Sequence, residues 1–129
     1  MNGLRIVLIV SLVTTGSYEA SMAQTSSTPS DVKISGGMLT DSKGMTLYGF
    51  DKDTVPGKSA CNGQCLTTWP ALPVTSGGMA MGDWTIVNRD DGSKQWAYKG
   101  KPLYTFAHDG KAGDITGDGK GGVWHMAMP

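Results

Sequence analysis

The sequence has no excess of positive or negative charge. Its 129 residues carry 11 Lys plus Arg and 11 Asp plus Glu, so the formal net charge is zero, and charged residues make up only 17% of the chain. A nucleic-acid-binding protein needs a basic surface to displace counterions, and a polybasic membrane-surface protein needs a basic cluster as well. The balanced charge argues against both classes, so we expect no nucleic-acid partner.

The sequence also has little continuous hydrophobic character. Its one clear apolar segment is Ile6–Val13, and these eight residues fall short of the about 20 that a bilayer crossing needs. Ser21 and Ala23 supply small residues for a cleavage after Ala23. These features predict a secretory signal peptide over 1–23 and a flexible Ser- and Thr-rich lead-in over 24–31, with a buried N-terminal helix as the alternative.

Cysteine occurs twice. Because the first Cys is Cys61, none stands at the predicted cleavage site, and we expect neither an N-terminal lipid anchor nor a membrane span. An exported, periplasmic or extracellular chain meets an oxidising environment, so Cys61 and Cys65 are expected to form a disulfide. The alternative is a thiol–disulfide redox site, although such sites usually have two intervening residues at a helix N-terminus and here there are three.

Catalytic motifs are absent as well. The chain has no Gly-x-Ser-x-Gly nucleophile elbow and no phosphate-binding Gly-x-x-x-x-Gly-Lys loop. Only His108 and His125 could serve as imidazole bases. We therefore expect a protein that is not an enzyme.

What the chain does contain is an internal repeat. The segment from Lys43 to Asp53 recurs 56 residues later, with Lys, Gly, Leu, Tyr, Phe and Asp at identical spacing, and Trp69 and Trp124 agree after a one-residue slip. Two copies predict a duplicated unit whose halves pack in pseudo-symmetry. We expect a flexible lead-in followed by a single domain at 32–129, with repeats at about 32–75 and 84–129.

The patterns inside the repeats are those of strands. In an extended Leu-Tyr-x-Phe segment, Tyr48 and Phe50 share one face and Leu47 lies on the other, so both faces are apolar. The central region predicts a three-stranded meander, made of Trp84–Asn88, a turn, Lys94–Tyr98 and then the second Leu-Tyr-x-Phe segment. Beyond the signal peptide no stretch has helical periodicity.

These patterns predict an all-β, turn-rich fold of two tandem antiparallel units stacked face to face. Neither unit could bury its apolar face alone. The residues expected to be largely core are the aromatic ones: Trp69, Trp84, Trp96, Trp124, Tyr48, Phe50, Tyr104 and Phe106.

The two copies share a Tyr-x-Phe-x-x-Asp motif, and Cys61 and Cys65 are followed by Trp69-Pro70. In these features the chain resembles the bacterial secreted-repeat family of lipoproteins with a Yx(FWY)xxD motif. The resemblance covers the chain from about Val32 onward and implies an exported repeat protein of unknown biochemical function. The chain departs from many members in lacking the lipid-acceptor Cys.

The motif suggests a first candidate site. Tyr48, Asp53, Tyr104 and Asp109 could line a pair of symmetry-related binding clefts. The structural alternative is that each Asp accepts backbone N–H groups in the turn that follows its strand, while the aromatic rings fill the core. The leading expectation for function is a non-catalytic, exported envelope protein whose partner is an unknown envelope protein or a small ligand.

Methionine suggests a second candidate site. Met79, Met81, Met126 and Met128 form two Met-x-Met pairs, and His125 stands beside the second pair. Thioether sulfur is a soft ligand suited to Cu(I), so copper handling is an alternative function, and copper is the one cofactor considered. In a strand, His125 would point away from Met126 and Met128, and methionine often serves only to fill gaps in a core.

Overall fold

The computed structural model describes residues 28–75 and 77–129; the predicted signal peptide and the first half of the predicted lead-in, 24–27, lie outside them. No helix in either described stretch is long and apolar enough to cross a membrane. The elements are β1 (Val32–Ser35), β2 (Met38–Asp41), β3 (Tyr48–Phe50), α1 (Cys65–Thr68), β4 (Trp84–Asn88), β5 (Lys94–Tyr98), β6 (Lys101–Pro102), a short 3₁₀ turn (Lys120–Gly122) and β7 (Trp124–Met126).

Antiparallel pairing joins the strands into three small sheets: β1 with β2, β3 with β7, and β4 with β5 and β6. The predicted all-β fold is thereby confirmed, and so is the predicted hairpin of β4 and β5. The third strand of the meander, β6, ends at Pro102, just before the Leu-Tyr-x-Phe segment that was predicted to form it. In the β1–β2 hairpin, Ser35 pairs with Met38, so Gly36 and Gly37 alone make the turn, with φ of 59° and 80°. A tight hairpin turn needs two positive φ values, which glycine adopts without steric cost.

The sheet of β3 and β7 joins the two repeats. Tyr48, in the first repeat, pairs with Met126, near the end of the second. Tyr48 and Tyr104 also exchange backbone hydrogen bonds, N to O, of 2.7 and 3.0 Å. The repeats therefore interlock through exchanged segments, whereas the sequence predicted two units stacked face to face.

The Tyr-x-Phe segment of the second repeat differs from its counterpart. It was predicted to be a strand, but Tyr104 makes only isolated bridges, one to Tyr48 and one to Ala71. The neighbouring Thr105 donates its N–H to Pro70 O at 2.9 Å. Proline cannot donate in return, so the ladder cannot extend along this side.

Two hydrophobic clusters form the core, one on each face of the Leu-Tyr-x-Phe segments. Leu47 and Leu103 belong to the first cluster, together with Trp84 and Trp96. The second cluster contains Tyr48, Tyr104 and Phe106, together with Trp69, Trp124 and Cys61. The strand alternation predicted from sequence is responsible for this division, because successive side chains point to opposite faces.

Two details depart from expectation. Phe50 is only partly buried, whereas the other seven aromatic residues expected in the core are buried. A single helical turn, α1, begins at Cys65 in a region where the sequence had no helical periodicity. One turn is too short to have a periodic stripe.

Candidate functional site

The Tyr-x-Phe-x-x-Asp motifs bond to each other across the repeats. The Tyr48 hydroxyl donates to Asp109 Oδ2 at 2.6 Å, and the Tyr104 hydroxyl donates to Asp53 Oδ2 at 2.7 Å. Each tyrosine therefore bonds to the aspartate of the other copy. We call these two hydrogen bonds the Tyr–Asp lock.

Turn backbone holds each aspartate of the lock in place. Asp109 Oδ1 accepts the N–H of Thr116 at 3.0 Å, and Asp53 Oδ1 accepts the N–H of Ala60 at 2.6 Å. Burial raises the pKa of Asp53, against the opposing effect of its hydrogen bonds from Ala60 and Tyr104. Burial also raises the pKa of each tyrosine well above its ordinary value, and the adjacent carboxylate raises it further.

A column of four stacked rings lies beside the lock. The Trp69 and Trp124 rings are nearly parallel, with centroids 3.9 Å apart. Phe50 stacks on Trp124 at 4.1 Å, and Phe106 stacks on Trp69 at 4.3 Å. The Phe of each motif thus packs on the Trp of the other repeat, and such pairs add stability beyond the area that they bury.

This geometry favours the structural interpretation of the motif. Tyr48 and Tyr104 have no exposed surface, and Asp109 is buried. The hydroxyl and carboxylate groups are engaged with each other and with turn backbone, so they are not free to bind a ligand. A binding role for Tyr48, Asp53, Tyr104 and Asp109 stays a prediction.

The predicted disulfide is present between Cys61 and Cys65. Cys61 is fully buried in the second hydrophobic cluster, and its carbonyl accepts a hydrogen bond from Arg89 Nη2 at 2.6 Å. A redox dithiol needs an accessible sulfur, so the burial of Cys61 favours a structural bridge. The redox alternative is a prediction that the structure leaves open.

A buried polar network supports the disulfide loop, and sequence reasoning missed it. Arg89 Nη1 donates to Gln95 Oε1 at 2.6 Å, and Gln95 Nε2 donates to Leu103 O at 2.7 Å. Gln95 has no exposed surface, and Arg89 is buried. Nothing in the local pattern marks these residues, because polar residues in strands usually face solvent.

An open cleft of about 320 Å³ lies where the two repeats meet. Residues 49–51 of the first repeat line it together with Tyr98, Lys99, Lys101, Leu103 and residues 125–128 of the second repeat. We call it the inter-repeat cleft. Its volume falls in the lower part of the range typical of small-molecule sites.

The inter-repeat cleft combines apolar walls with charged groups. Leu103 is buried at its wall, and Phe50 lines it while stacking on Trp124. At one position His125 Nε2 and Asp51 Oδ2 are 2.9 Å apart, and both side chains are half exposed. A few polar groups on an apolar lining are typical of a binding site.

Three of the four Asp, Lys and His residues that line the inter-repeat cleft have no charged or titratable counterpart in the other repeat copy; the fourth, Lys99, corresponds to Lys43. Residues that the two copies share, such as the Leu, Tyr, Phe and Asp of the motif, build the core and the lock. The positions equivalent to Asp51, Lys101 and His125 carry Ala107, Met45 and Pro70. Asp51, Lys101 and His125 are all exposed and belong to neither the core nor the lock, so the difference marks the cleft as the asymmetric, candidate functional site. Comparing the two copies by sequence would have found this signal.

The two methionine pairs do not share a cavity. Met79 and Met81 line a separate groove of about 270 Å³, whereas Met126 and Met128 line the inter-repeat cleft together with His125. Met81 packs against the first hydrophobic cluster, and Met126 packs against the second. A single site formed by all four methionines is therefore not what the fold presents.

The interlocked motif and the small antiparallel sheets define a two-repeat, all-β protein held by an internal disulfide. The family described as a secreted repeat of unknown function matches the chain at residues 32–73 and 85–128, which is more than half of its length. The chain belongs to this family, and both the resemblance and the tandem repeats expected from sequence are confirmed. No curated protein and no solved structure matches the chain.

The family description and the disulfide agree with the expected export. The family is described as secreted, and disulfides persist in oxidising compartments. The signal peptide and the choice between periplasm and extracellular space stay predictions.

Proposed function

We propose that this exported repeat protein is a non-catalytic binding protein that takes a small molecule into the inter-repeat cleft. The observation that carries the proposal is the asymmetry of the cleft: Asp51, Lys101 and His125 stand at positions where the other repeat copy has Ala, Met or Pro. All three side chains are exposed at the cleft, where they can contact a ligand.

The side chains of the cleft support binding over catalysis. His125 and Asp51 form a pair that could move a proton, but covalent catalysis also needs a nucleophile within reach of the base. The residues that line the cleft, within the described chain, include no Ser, Thr or Cys, and Lys99 and Lys101 are exposed, whereas a lysine nucleophile is activated by desolvation. Both members of the pair are half exposed, so water competes for their hydrogen bonds.

Gly49 offers a direct test. It lines the cleft, its φ is not in the left-handed region, and a Cβ atom built there would meet nothing within 4 Å. Gly49→Leu should therefore fill the cleft without disturbing the backbone. Thr105 is the equivalent residue of the second repeat, so Thr105→Leu adds the same side chain outside the cleft and serves as the matched control.

The uncharged dye N-phenylnaphthylamine is a suitable probe, because its fluorescence rises when it enters an apolar site. We expect saturable binding by the wild-type protein, a loss of affinity of about tenfold or more in Gly49→Leu, and little change in Thr105→Leu. The melting temperatures of both variants establish that they are folded. No saturable binding by the wild type, or equal binding by Gly49→Leu, would contradict the proposal.

Copper binding is a second candidate function, supported by the position of His125, Met126 and Met128 along the same cleft. In β7, however, His125 and Met126 are successive residues and point to opposite faces, so Met128, which lies beyond the strand, is the thioether that can approach His125. His125 Nε2 bonds to Asp51, which leaves Nδ1 for a metal, and carboxylate-bonded histidine is a common arrangement at metal sites. A thioether and an imidazole suit Cu(I).

An anaerobic Cu(I) competition titration tests this candidate. Met126→Leu/Met128→Leu should abolish binding, while Met79→Leu/Met81→Leu, the matched control in the other groove, should retain it. If wild type and both double variants compete equally for Cu(I), or if none does, the copper proposal fails.

A further inference from the structure

Lys99 is held in an unfavourable backbone conformation at the edge of the inter-repeat cleft. Within residues 28–75 and 77–129 it is the only non-glycine residue with positive φ, at 50°. Tyr98 pairs with Lys101, so Lys99 and Gly100 form a two-residue hairpin turn with positive φ at both positions. Asn, Asp or Gly is usual at the first of these positions, because a longer side chain is strained there.

The first repeat avoids this strain. Its equivalent residue, Lys43, lies in a wider turn in which Asp41 Oδ1 accepts the N–H groups of Lys43 and Met45, and only Gly44 has positive φ. The turn sequence alone does not require a strained lysine, so the structure of the second turn needs another explanation. Strain of this kind tends to persist where function uses it.

The strained turn places cationic side chains at the cleft. Lys99 Nζ lies 5.2 Å from the centroid of the Tyr98 ring, and Lys99, Tyr98 and Lys101 all line the cleft. Within the described residues neither ammonium group has a carboxylate partner, and Asp51, which also lines the cleft, is engaged by His125. Two unpaired cations thus stand beside an apolar lining.

We infer that the ligand of the inter-repeat cleft is an anionic molecule with a flat apolar body. Lys99 and Lys101 bind its anionic group, and the Phe50 and Tyr98 rings contact its body. This inference rests on the proposed function and specifies its ligand class. Each exposed ammonium group contributes about fivefold to affinity, because solvent screens the attraction.

A pair of dyes that share one fused-ring body tests the charge preference. Anilinonaphthalene sulfonate carries an anionic group, and N-phenylnaphthylamine is its uncharged relative. We compare the ratio of their Kd values in wild type, Lys99→Asn, Lys101→Gln and the double variant. Lys43→Gln, which removes the equivalent lysine of the first repeat, is the matched control.

We expect the double variant to lose about tenfold or more of the sulfonate affinity while the affinity for the uncharged dye is unchanged. Lys43→Gln should behave as wild type. The preference of the wild type should also weaken when ionic strength rises from about 0.01 M to 0.15 M, since the screening length shortens. Lys99→Asn should raise the melting temperature by about 2–5 °C, because Asn tolerates the left-handed conformation.

The outcomes separate the inference from the proposed function. The proposed function itself fails if the uncharged dye does not bind the wild type, or if Gly49→Leu does not weaken its binding. If that dye binds in the cleft but the lysine substitutions leave the Kd ratio unchanged, the ligand-class inference is overturned and the binding function stands. A lower melting temperature for Lys99→Asn would remove the argument from strain.

Discussion

Removing the Tyr48 hydroxyl is the most informative perturbation of the fold. The hydroxyl donates to Asp109 Oδ2 at 2.6 Å and accepts the N–H of Gly117 at 3.3 Å. Tyr48 has no exposed surface and Asp109 is 7% exposed, so water does not replace either bond. A hydrogen bond to a charged group contributes about 1.5–3 kcal/mol, and a buried group left without a partner costs a similar amount, so Tyr48→Phe should cost about 3 kcal/mol.

Tyr104→Phe is the matched control on the other half of the lock. It removes the bond to Asp53, which is only partly buried and keeps its bond from the Ala60 N–H. It also removes the 2.6 Å hydrogen bond between the Tyr104 hydroxyl and Ser59 Oγ, which is partly buried as well. Water can reach the freed carboxylate and hydroxyl oxygens, so we expect a cost of about 1 kcal/mol. The lock should therefore be asymmetric in energy although it is nearly symmetric in geometry.

Urea unfolding, followed by tryptophan fluorescence, measures both costs as changes in the free energy of unfolding. A double-mutant cycle of Tyr48→Phe with Asp109→Asn isolates the contact itself, and we expect a coupling energy of about 1.5 kcal/mol. Equal costs for the two Tyr→Phe variants would refute the argument from burial. A coupling below about 0.5 kcal/mol would refute the lock.

Three further predictions concern stability. Gly117→Ala should destabilise the fold by about 1–3 kcal/mol, because its Cβ would lie 2.7 Å from the Trp69 ring, whereas Gly49→Ala meets nothing and should be neutral or stabilising; urea unfolding compares them. Reduction of the disulfide, which closes a loop of only five residues, should lower stability by about 2 kcal/mol in the same assay. Since burial raises the pKa of Tyr48 and Tyr104 in the folded state, unfolded tyrosines ionise first, and stability should fall above about pH 10. Each tyrosine contributes about 1.4 kcal/mol per pH unit, so Tyr48→Phe, which keeps one of the two, should show about half of the combined wild-type slope.

Much of the fold follows from local patterns in the sequence. Alternation placed Leu47 and Tyr48 on opposite faces, and the structure assigns them to different clusters. Turn residues and β-branched residues marked the hairpin of β4 and β5. These features are local, because each depends on neighbours within a few residues.

The cross-repeat contacts could not be predicted in the same way. A repeated motif looks alike whether Tyr48 bonds to Asp53 of its own copy or to Asp109 of the other, since only the three-dimensional path of the chain decides. The strand expected at Tyr104 does not form for a related reason. Its partner on one side is Ala71, and the neighbouring Pro70 has no N–H to continue the pairing.

The candidate site was predicted only in part, because most of its charged residues lie in the differences between the copies. His125, Met126 and Met128 were named from sequence and line the inter-repeat cleft, whereas Asp51, Lys99 and Lys101 were not named as site residues. The shared Tyr-x-Phe-x-x-Asp motif, which suggested the first candidate site, lies in the core. The inter-repeat cleft takes its charge from Asp51, Lys101 and His125, where the copies diverge, and from Lys99, whose backbone differs from that of its counterpart although the residue is the same.

The central claim is that the shared motif locks the repeats together while the inter-repeat cleft binds the ligand. Amide chemical shifts of the labelled protein, titrated with N-phenylnaphthylamine, test it most directly. We predict shift changes at residues 49–51, 98–101 and 125–128, with the amides of Asp53 and Asp109 unaffected. Shift changes centred on the groove of Met79 and Met81, or on the two aspartates, would contradict the account.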